Sequence, residues 1–541
     1  MSASLICIAI AVFALSGVPG LFLRAGSAGI ARFQVVLVLA GAAVGLTGAV
    51  LGFFKPDPAL YEFPWPAFGN ALVGVDALSS FFLLPIFLIG SLGAVYSAGY
   101  WSPREFPRTG SSMRFFWGLI LAGMTLLVIS KHVLSFLLGW EAMALSAFFL
   151  VSTEDEKSGT RKSGLVYLIA THVGTLSLFG FFALWRAFTG SFDLVPAAPG
   201  SISAAAANIL LAAGFFGFGL KAGVMPLHFW LPGAHANAPS HVSALLSGVM
   251  LKMGVYGIVR TISLVPDIAP FWGWAVLFAG ASSGVLGIVF ALGQKDFKRL
   301  LAYSSIENIG IILLGLGLAL LGRVYHRQDW IVLGLGGCLL HVWNHSLFKP
   351  LLFLGAGAVM HATGTRQIDE LGALARKMPK TALLFLTGSA AICALPPLNG
   401  FVSEFMLYLG FFGSALSVER ISAIMLLGAP VLAMIGALAV SCFVKLYSAV
   451  FLGEPRTESA MHAHEASATM LVPMALLALL CVIVALFPAL TVPFLDRAIS
   501  AVQASVPFTA QAMPLSSLVP FGILGRAMAI PVGAMLLLGF V

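Results

Sequence analysis

The 541-residue chain is 60% hydrophobic and 9% charged, with a mean hydropathy of +1.01, which excludes an ordinary soluble globular protein and makes lipid its main solvent. Its formal net charge of +8 comes from basic residues scattered among short loops, which excludes a nucleic-acid-binding stripe. Cys7, Cys338, Cys393, Cys442 and Cys481 all sit in apolar stretches without a CxxC pair, so zinc, iron–sulfur and haem ligation are not expected and no cofactor is assigned.

In chain order, apolar runs fall at 4–23, 33–53, 74–98, 114–130, 132–152, 164–185, 203–225, 240–263, 271–292, 300–321, 331–360, 380–411, 422–450 and 468–493, with one more at 519–541. Unpaired backbone groups are costly in hydrocarbon, and no alternating barrel strands occur, so the runs are read as helices. The expected fold is an all-α polytopic membrane protein with about 14–15 transmembrane helices. The first run lacks a basic leader and a small-residue cleavage site, and is read as a retained span.

Loops are numbered by the span they follow. Odd loops, with Arg24, Arg104, Arg108, Lys157, Arg161, Lys162, Lys295, Lys298, Arg299, Arg376 and Lys377 among their cations, carry about twice the basic residues of even loops, which include Lys131, Arg260 and Arg420. That bias places odd loops in the cytoplasm and the N-terminus in the periplasm.

Eight charged residues fall inside apolar runs: Asp76, Glu141, Lys221, Lys252, Glu307, Lys349, Glu404 and Lys445. Each costs from about 2.5 to more than 10 kcal/mol at the bilayer centre, so function is the default expectation. Their order repeats with a period of five spans. Glu141 of span five corresponds to Glu307 of span ten, and His172 of span six to His341, His345 and Lys349 of span eleven. Lys221 of span seven corresponds to Glu404 of span twelve, and Lys252 of span eight to Lys445 of span thirteen. An odd period implies two inverted five-helix repeats. The expected division is N-terminal helices over 1–113, repeats over 114–263 and 271–450, and C-terminal helices over 468–541.

Pro226 follows Lys221, and Pro396 and Pro397 precede Glu404. Proline removes a donor and blocks the preceding turn, so spans seven and twelve are expected to be broken beside these charges. Lysine suits proton transfer because burial disfavours the ammonium while a nearby carboxylate favours it. Glu141 with Lys221 is the expected first pair. Lys252 and Glu307 would carry the proton onward to His341, His345 and Lys349, spaced i, i+4 and i+8 on one helix face, and Glu404 would take it toward the exit. The histidine spacing also suits zinc, but no acid accompanies it and Lys349 would repel a cation, so no metal is assigned. Asp76 also reads as a helix cap, His172 as a hydrogen-bonded core histidine, and Lys445 as a snorkelling residue. The Gly334–Gly337 stretch reads as close helix packing.

The stretch Lys221-Ala-Gly-Val-Met-Pro-Leu-His-Phe-Trp-Leu-Pro, with Ala234-His-Ala-Asn-Ala-Pro-Ser-His-Val-Ser-Ala-Leu-Leu-Ser-Gly and Lys252-Met-Gly-Val-Tyr-Gly, resembles the antiporter-like subunits shared by complex I, Mrp antiporters and group 4 hydrogenases. Phe297-Lys-Arg-Leu-Leu-Ala-Tyr-Ser-Ser-Ile-Glu-Asn-Ile-Gly, His341-Val-Trp-Asn-His-Ser-Leu-Phe-Lys and Pro396-Pro-Leu-Asn-Gly-Phe-Val-Ser-Glu-Phe extend the likeness across spans four to thirteen. The Ala-Pro-Ser-His-Val-Ser-Ala stretch is most similar to hydrogenase-4 component B and the formate hydrogenlyase membrane subunit. The chain stops soon after its last apolar run, without the long lateral helix of the distal complex I subunit, and its C-terminus is shorter than in many hydrogenase-4 B subunits.

The resemblance implies proton-channel roles for Glu141, Lys221, Lys252 and Glu404. It also implies membrane and peripheral partner subunits of a hydrogenase or dehydrogenase complex in a bacterial inner membrane. The alternative is an Mrp-type cation/proton antiporter subunit, and a third reading is a scaffold that anchors an enzyme without transport.

Overall fold

The computed structural model describes residues 1–22, 27–65, 69–103, 105–107, 109–414, 424–504 and 513–538. Arg24, Arg104, Arg108 and Arg420 lie outside the described residues. Hydrocarbon leaves backbone groups no partner but their own segment, and the apolar runs accordingly close into helices. Thirteen helices among the described residues are long and apolar enough to cross a membrane, making the chain a multi-pass membrane protein. The chain forms two compact units, one built on Met1–Gly223 and Leu227–Ile268, the other on Ala269–Ile499 with Val224–Pro226.

The first unit begins with α1 (Ser2–Ser16), α2 (Pro19–Phe22) and α3 (Ala28–Phe54). Strands β1 (Asp57–Trp65) and β2 (Gly69–Val75) then pair antiparallel, with Tyr61 opposite Val73 and Trp65 opposite Gly69. This hairpin lies in one connection, and the membrane-crossing elements are all helical, as expected. Next come α4 (Ala77–Tyr100), α5 (Gly110–Ile129), α6 (Val133–Val151), α7 (Ser158–Thr189) and α8 (Ala204–Ala222). Helix α8 ends at Gly223, whose φ of 78° is left-handed, and the chain becomes helical again only at the short α9 (Leu231–Asn237). The last segment is α10 (Ser240–Leu245), a π turn over Leu246–Met250, and α11 (Leu251–Leu264). Helices α11 and α8 approach at Gly254, where a Cβ would stand 2.5 Å from the Phe218 carbonyl oxygen and 2.6 Å from the Ala222 nitrogen. Glycine there lets the Lys252 helix lie backbone to backbone on the Lys221 helix.

The second unit contains α12 (Pro270–Leu292), α13 (Phe297–Val324), α14 (Gln328–Thr363), α15 (Leu374–Lys377), α16 (Pro379–Ile392), α17 (Asn399–Ser414), α18 (Gly428–Phe451), α19 (Ala468–Leu486) and α20 (Phe521–Leu538). Its core includes Ile311, Leu314 and Leu318 of α13, Leu407 and Phe411 of α17, and Leu432 and Ile435 of α18, all fully buried. The twelfth apolar run is two pieces, α16 and α17, each too short to count as a span. Between them Ala394 adopts a left-handed φ of 49° and the Pro396–Pro397 bond is cis. The chain re-enters helix against the end of α16, so closely that a Cβ on Gly400 would lie 2.1 Å from the Ala391 carbonyl oxygen.

No side chain fits that contact without moving α17. Gly400→Ala is therefore expected to cost about 1–3 kcal/mol through overpacking. Thermal unfolding of the purified chain in detergent measures this, and an unchanged midpoint would contradict it.

Candidate functional site

In the first unit the buried Lys221 ammonium, at the last turn of α8, donates to the Tyr167 hydroxyl of α7 at 2.9 Å. Tyr167 in turn donates to the Ala144 carbonyl of α6 at 3.2 Å. The Lys221 nitrogen also lies 5.0 Å from the Tyr167 ring centroid and 5.7 Å from that of Trp140, close enough for cation–π attraction. Glu141 follows Trp140 on α6. Among the described residues no carboxylate lies within 4.0 Å of Lys221, and its hydrogen-bond partner is Tyr167, a residue unremarked in the sequence.

Glu141 is half-buried. One of its oxygens, Oε2, lies 4.0 Å from His172 Nε2, and the other, Oε1, is buried with no protein hydrogen-bond partner. His172 is nearly half exposed, and its Nδ1 bonds the Leu168 carbonyl at 2.9 Å. This places it on the outer surface of α7 beside Glu141, where core packing does not account for it.

Helix ends and irregular turns free carbonyls, and aromatic and charged donors take them up. The break after α8 frees the Leu220 carbonyl, which accepts from the Trp230 indole at 2.9 Å. The π turn before α11 has the same consequence, since a π turn shifts the backbone register by one residue. Lys252, fully buried, donates to the Ser247 carbonyl at 2.5 Å.

The second unit solves the same problem with amides and hydroxyls. Lys349 of α14 is fully buried and donates to Ser304 Oγ of α13 at 2.5 Å. Asn308 donates to the Ser304 carbonyl at 2.8 Å, and its Oδ1 lies 3.1 Å from His341 Nε2. His341 Nδ1 lies 3.0 Å from Ser403 Oγ of α17. This polar line crosses α13, α14 and α17 and ends one residue from Glu404. Glu307, beside Asn308, keeps Oε1 buried without a protein hydrogen-bond partner. His345 and Glu404 are buried in the same unit. Helix α12 packs directly on the backbone here, since a Cβ on Gly287 would lie 2.6 Å from Glu307 N.

The structure decides between the two readings of Lys445 and moves Lys298 out of its loop. Lys445 is exposed and donates to the Leu292 carbonyl at 2.8 Å, capping α12, outside the buried network. Lys298, counted as a loop cation, lies inside the first turn of α13 and is 1% exposed. Asp296 starts that helix early by accepting from Arg299 N at 3.0 Å, which draws Lys298 inward.

Asp76 caps α4 by accepting from Ser79 N at 2.7 Å. It also receives Lys131 at 2.5 Å and Arg260 of α11 at 2.8 Å. Burial pushes the Asp76 carboxyl up, but Arg260 and Lys131 outweigh it and hold the group well below the usual carboxylate range. Lys131 is pulled down to about 8 by burial and by Arg260, against the attraction of Asp76. Arg260 reaches the Tyr256 hydroxyl at 3.0 Å, and Tyr256 donates to the Val128 carbonyl at 2.8 Å. The cluster thus ties α11, which carries Lys252, to α4 and to the α5–α6 corner. Sequence reasoning saw the cap and missed the two cations, which it had assigned to loops.

Residues 130–433 match the family described as NADH:quinone oxidoreductase/Mrp antiporter, transmembrane. Hydrogenase-4 component B of Escherichia coli (strain K12) is 41% identical over 458 residues, covering 82% of this chain and 67% of that protein. Formate hydrogenlyase subunit 3 of the same strain is 38% identical over 432 residues, covering 79% of this chain and 69% of that protein. The structure of an Mrp complex from Dietzia sp. DQ12-45-1b contains a chain with a TM-score of 0.77 at 19% identity, matched over 93% of this chain and 99% of that one, which shows a shared fold.

The Asp76 cluster is open to direct measurement. Its side chain is 30% exposed, between the limits of surface and buried ion pairs, so Asp76→Ala is expected to cost about 2 kcal/mol. Adding Lys131→Met should recover part of that loss, because one uncompensated cation is removed. With its carboxyl value depressed, the Asp76 contribution is full above the unfolded value of about 4 and is lost only as pH falls through the folded one. Thermal midpoints of the single and double variants at neutral and acid pH test this; equal midpoints for wild type and Asp76→Ala at neutral pH would contradict it.

Proposed function

The chain belongs to the NADH:quinone oxidoreductase/Mrp antiporter transmembrane family, and we propose that it is the proton-translocating membrane subunit of a redox-driven complex of the hydrogenase-4 or formate hydrogenlyase kind. Protons pass along Glu141, Lys221 and Lys252 in one half-path and along Glu307, His341, His345, Lys349 and Glu404 in the other. The observation that carries this reading is a pair of glutamates, Glu141 and Glu307, each with one carboxyl oxygen buried and lacking a protein hydrogen-bond partner. Such an oxygen has acceptor capacity that no protein group uses, which leaves it open to water or a passing proton donor. Each glutamate stands in the same unit as a buried lysine whose bond to a hydroxyl, rather than to a carboxylate, leaves the ammonium free to surrender its proton.

Pro226, Pro396 and Pro397 interrupt helices beside Lys221 and Glu404, and the interruptions supply the polar backbone that a hydrated path requires. No cysteine or histidine set in the sequence has the spacing of a redox centre, so partner subunits supply the driving energy. The complex sits in the bacterial inner membrane with the N-terminus of this chain in the periplasm, following the loop cations. Cation/proton antiport of the Mrp kind is the second reading, favoured by the fold shared with the Mrp complex chain. Co-purified subunits identified by mass spectrometry distinguish the two.

Proton translocation by the intact complex in proteoliposomes tests the assignment. Glu141→Gln and Lys221→Ala are each expected to reduce it by at least about a hundredfold, the usual scale for loss of a proton-transfer group. Unchanged translocation in both variants would overturn it.

A further inference from the structure

His341 has both ring nitrogens engaged, Nε2 with Asn308 Oδ1 at 3.1 Å and Nδ1 with Ser403 Oγ at 3.0 Å. The Asn308 amide nitrogen is committed to the Ser304 carbonyl at 2.8 Å, so its oxygen faces the ring and Nε2 keeps a hydrogen in every state. Nδ1 is therefore the nitrogen that titrates. Its partner Ser403 has one hydroxyl proton and two further neighbours. Asn344 Nδ2, at 3.0 Å, can only donate to it, and the Gly400 carbonyl, at 2.9 Å, can only accept from it. Asn344 cannot turn over, because its Nδ2 also donates to the Asn399 carbonyl at 2.7 Å and its Oδ1 accepts from Asn399 Nδ2 at 3.0 Å.

Two arrangements satisfy these constraints. With neutral His341, the Ser403 hydroxyl donates to Nδ1. With cationic His341, Nδ1–H donates to Ser403 Oγ, and the hydroxyl turns to the Gly400 carbonyl. We infer that Ser403 is a single-hydroxyl switch through which His341 gains and loses a proton at Nδ1 with no heavy atom displaced. The inference deepens the proton-translocation reading and rests on it. On uptake Ser403 passes its proton along the O–H···Nδ1 bond while Oγ takes one from a donor of the protonated-carboxyl class, such as Glu404, the next residue of α17. The O–H bonds of the donor carboxyl and of Ser403 break, while a new Ser403 O–H and the His341 Nδ1–H form, so a single proton has moved from donor to imidazole. The Gly400 carbonyl lies in the first turn of α17 and keeps its backbone bond when the hydroxyl turns away, so neither state strands a buried group.

Ser403 is a positioning and relay residue, and its hydroxyl, not its shape, is the claim. In proteoliposomes of the intact complex, Ser403→Ala should lower proton translocation by at least about tenfold, Ser403→Thr should restore it to within about twofold, and Glu307→Gln should abolish it. Wild-type rates for Ser403→Ala with Glu307→Gln inactive would overturn the switch alone, as would equal impairment of the Ala and Thr variants. Wild-type rates for both Ser403→Ala and Glu307→Gln would overturn the translocation reading itself. If the Ala complex fails to assemble, Ser403→Cys fills the space with a weak donor and should assemble with translocation reduced about tenfold; a wild-type rate there also overturns the switch.

Discussion

Burial of an ammonium or carboxylate in hydrocarbon is the constraint on which this structure turns. Lys221, Lys252 and Lys349 are each at most 1% exposed, and a charge so placed must find polar partners within the protein. The surrounding helices depart from regularity where they supply them. The break after α8 and the π turn before α11 free carbonyls that Trp230 and Lys252 then occupy. The interruption between α16 and α17 brings Asn399 and Ser403 to the helix carrying His341.

The two units meet this demand with different chemistry. In the first, Lys221 rests between aromatic faces and one phenol hydroxyl, an environment that tolerates the ammonium through cation–π attraction and tolerates its loss because Tyr167 still has a carbonyl to donate to. In the second, Asn308, His341, Ser403 and Asn344 on α13, α14 and α17 form a hydrogen-bonded line in which the amides are fixed in orientation and the Ser403 hydroxyl has two acceptors within reach. Fixed amides define direction, and rotating hydroxyls allow change of charge without repacking. Both solutions give a buried charge polar or aromatic partners without an opposing carboxylate, as the proposed proton path requires.

Around this interior, the Asp76 cluster acts as an anchor. One carboxylate receives Lys131 and Arg260 while capping α4, and its partners lie 55 and 184 residues away in sequence. It holds α11 at one end, while the glycine contact at Gly254 holds the same segment against α8. Lys252 lies one turn or less from the glycine contact, on the same helix that the Arg260 pair fixes further along.

The spans, the intramembrane charges and the prolines beside them were legible in the sequence, because hydropathy, the cost of a charge in lipid and the missing proline donor are all local properties. Even there local reading had limits. Lys298 read as a loop residue because nothing nearby in sequence announces that Asp296 starts α13 one turn early, and Lys445 carried two readings, interior charge and snorkelling residue, until its exposed place at the end of α12 decided between them. The β-hairpin lies in a connection between spans, where hydropathy carries no signal, and its two strands pair only with each other. Partners were decided by tertiary structure alone. His341 meets Ser403 across 62 residues and Lys221 meets Tyr167 across 54, and such pairs depend on which helix faces pack together and at what rotation. Asn308, Asn344 and Asn399 could have been noticed as amides within apolar runs, yet their role depends on the direction each amide faces, which the neighbouring helix imposes. The sequence thus determined where charge is buried, and the packing of helices determined which groups each charge meets.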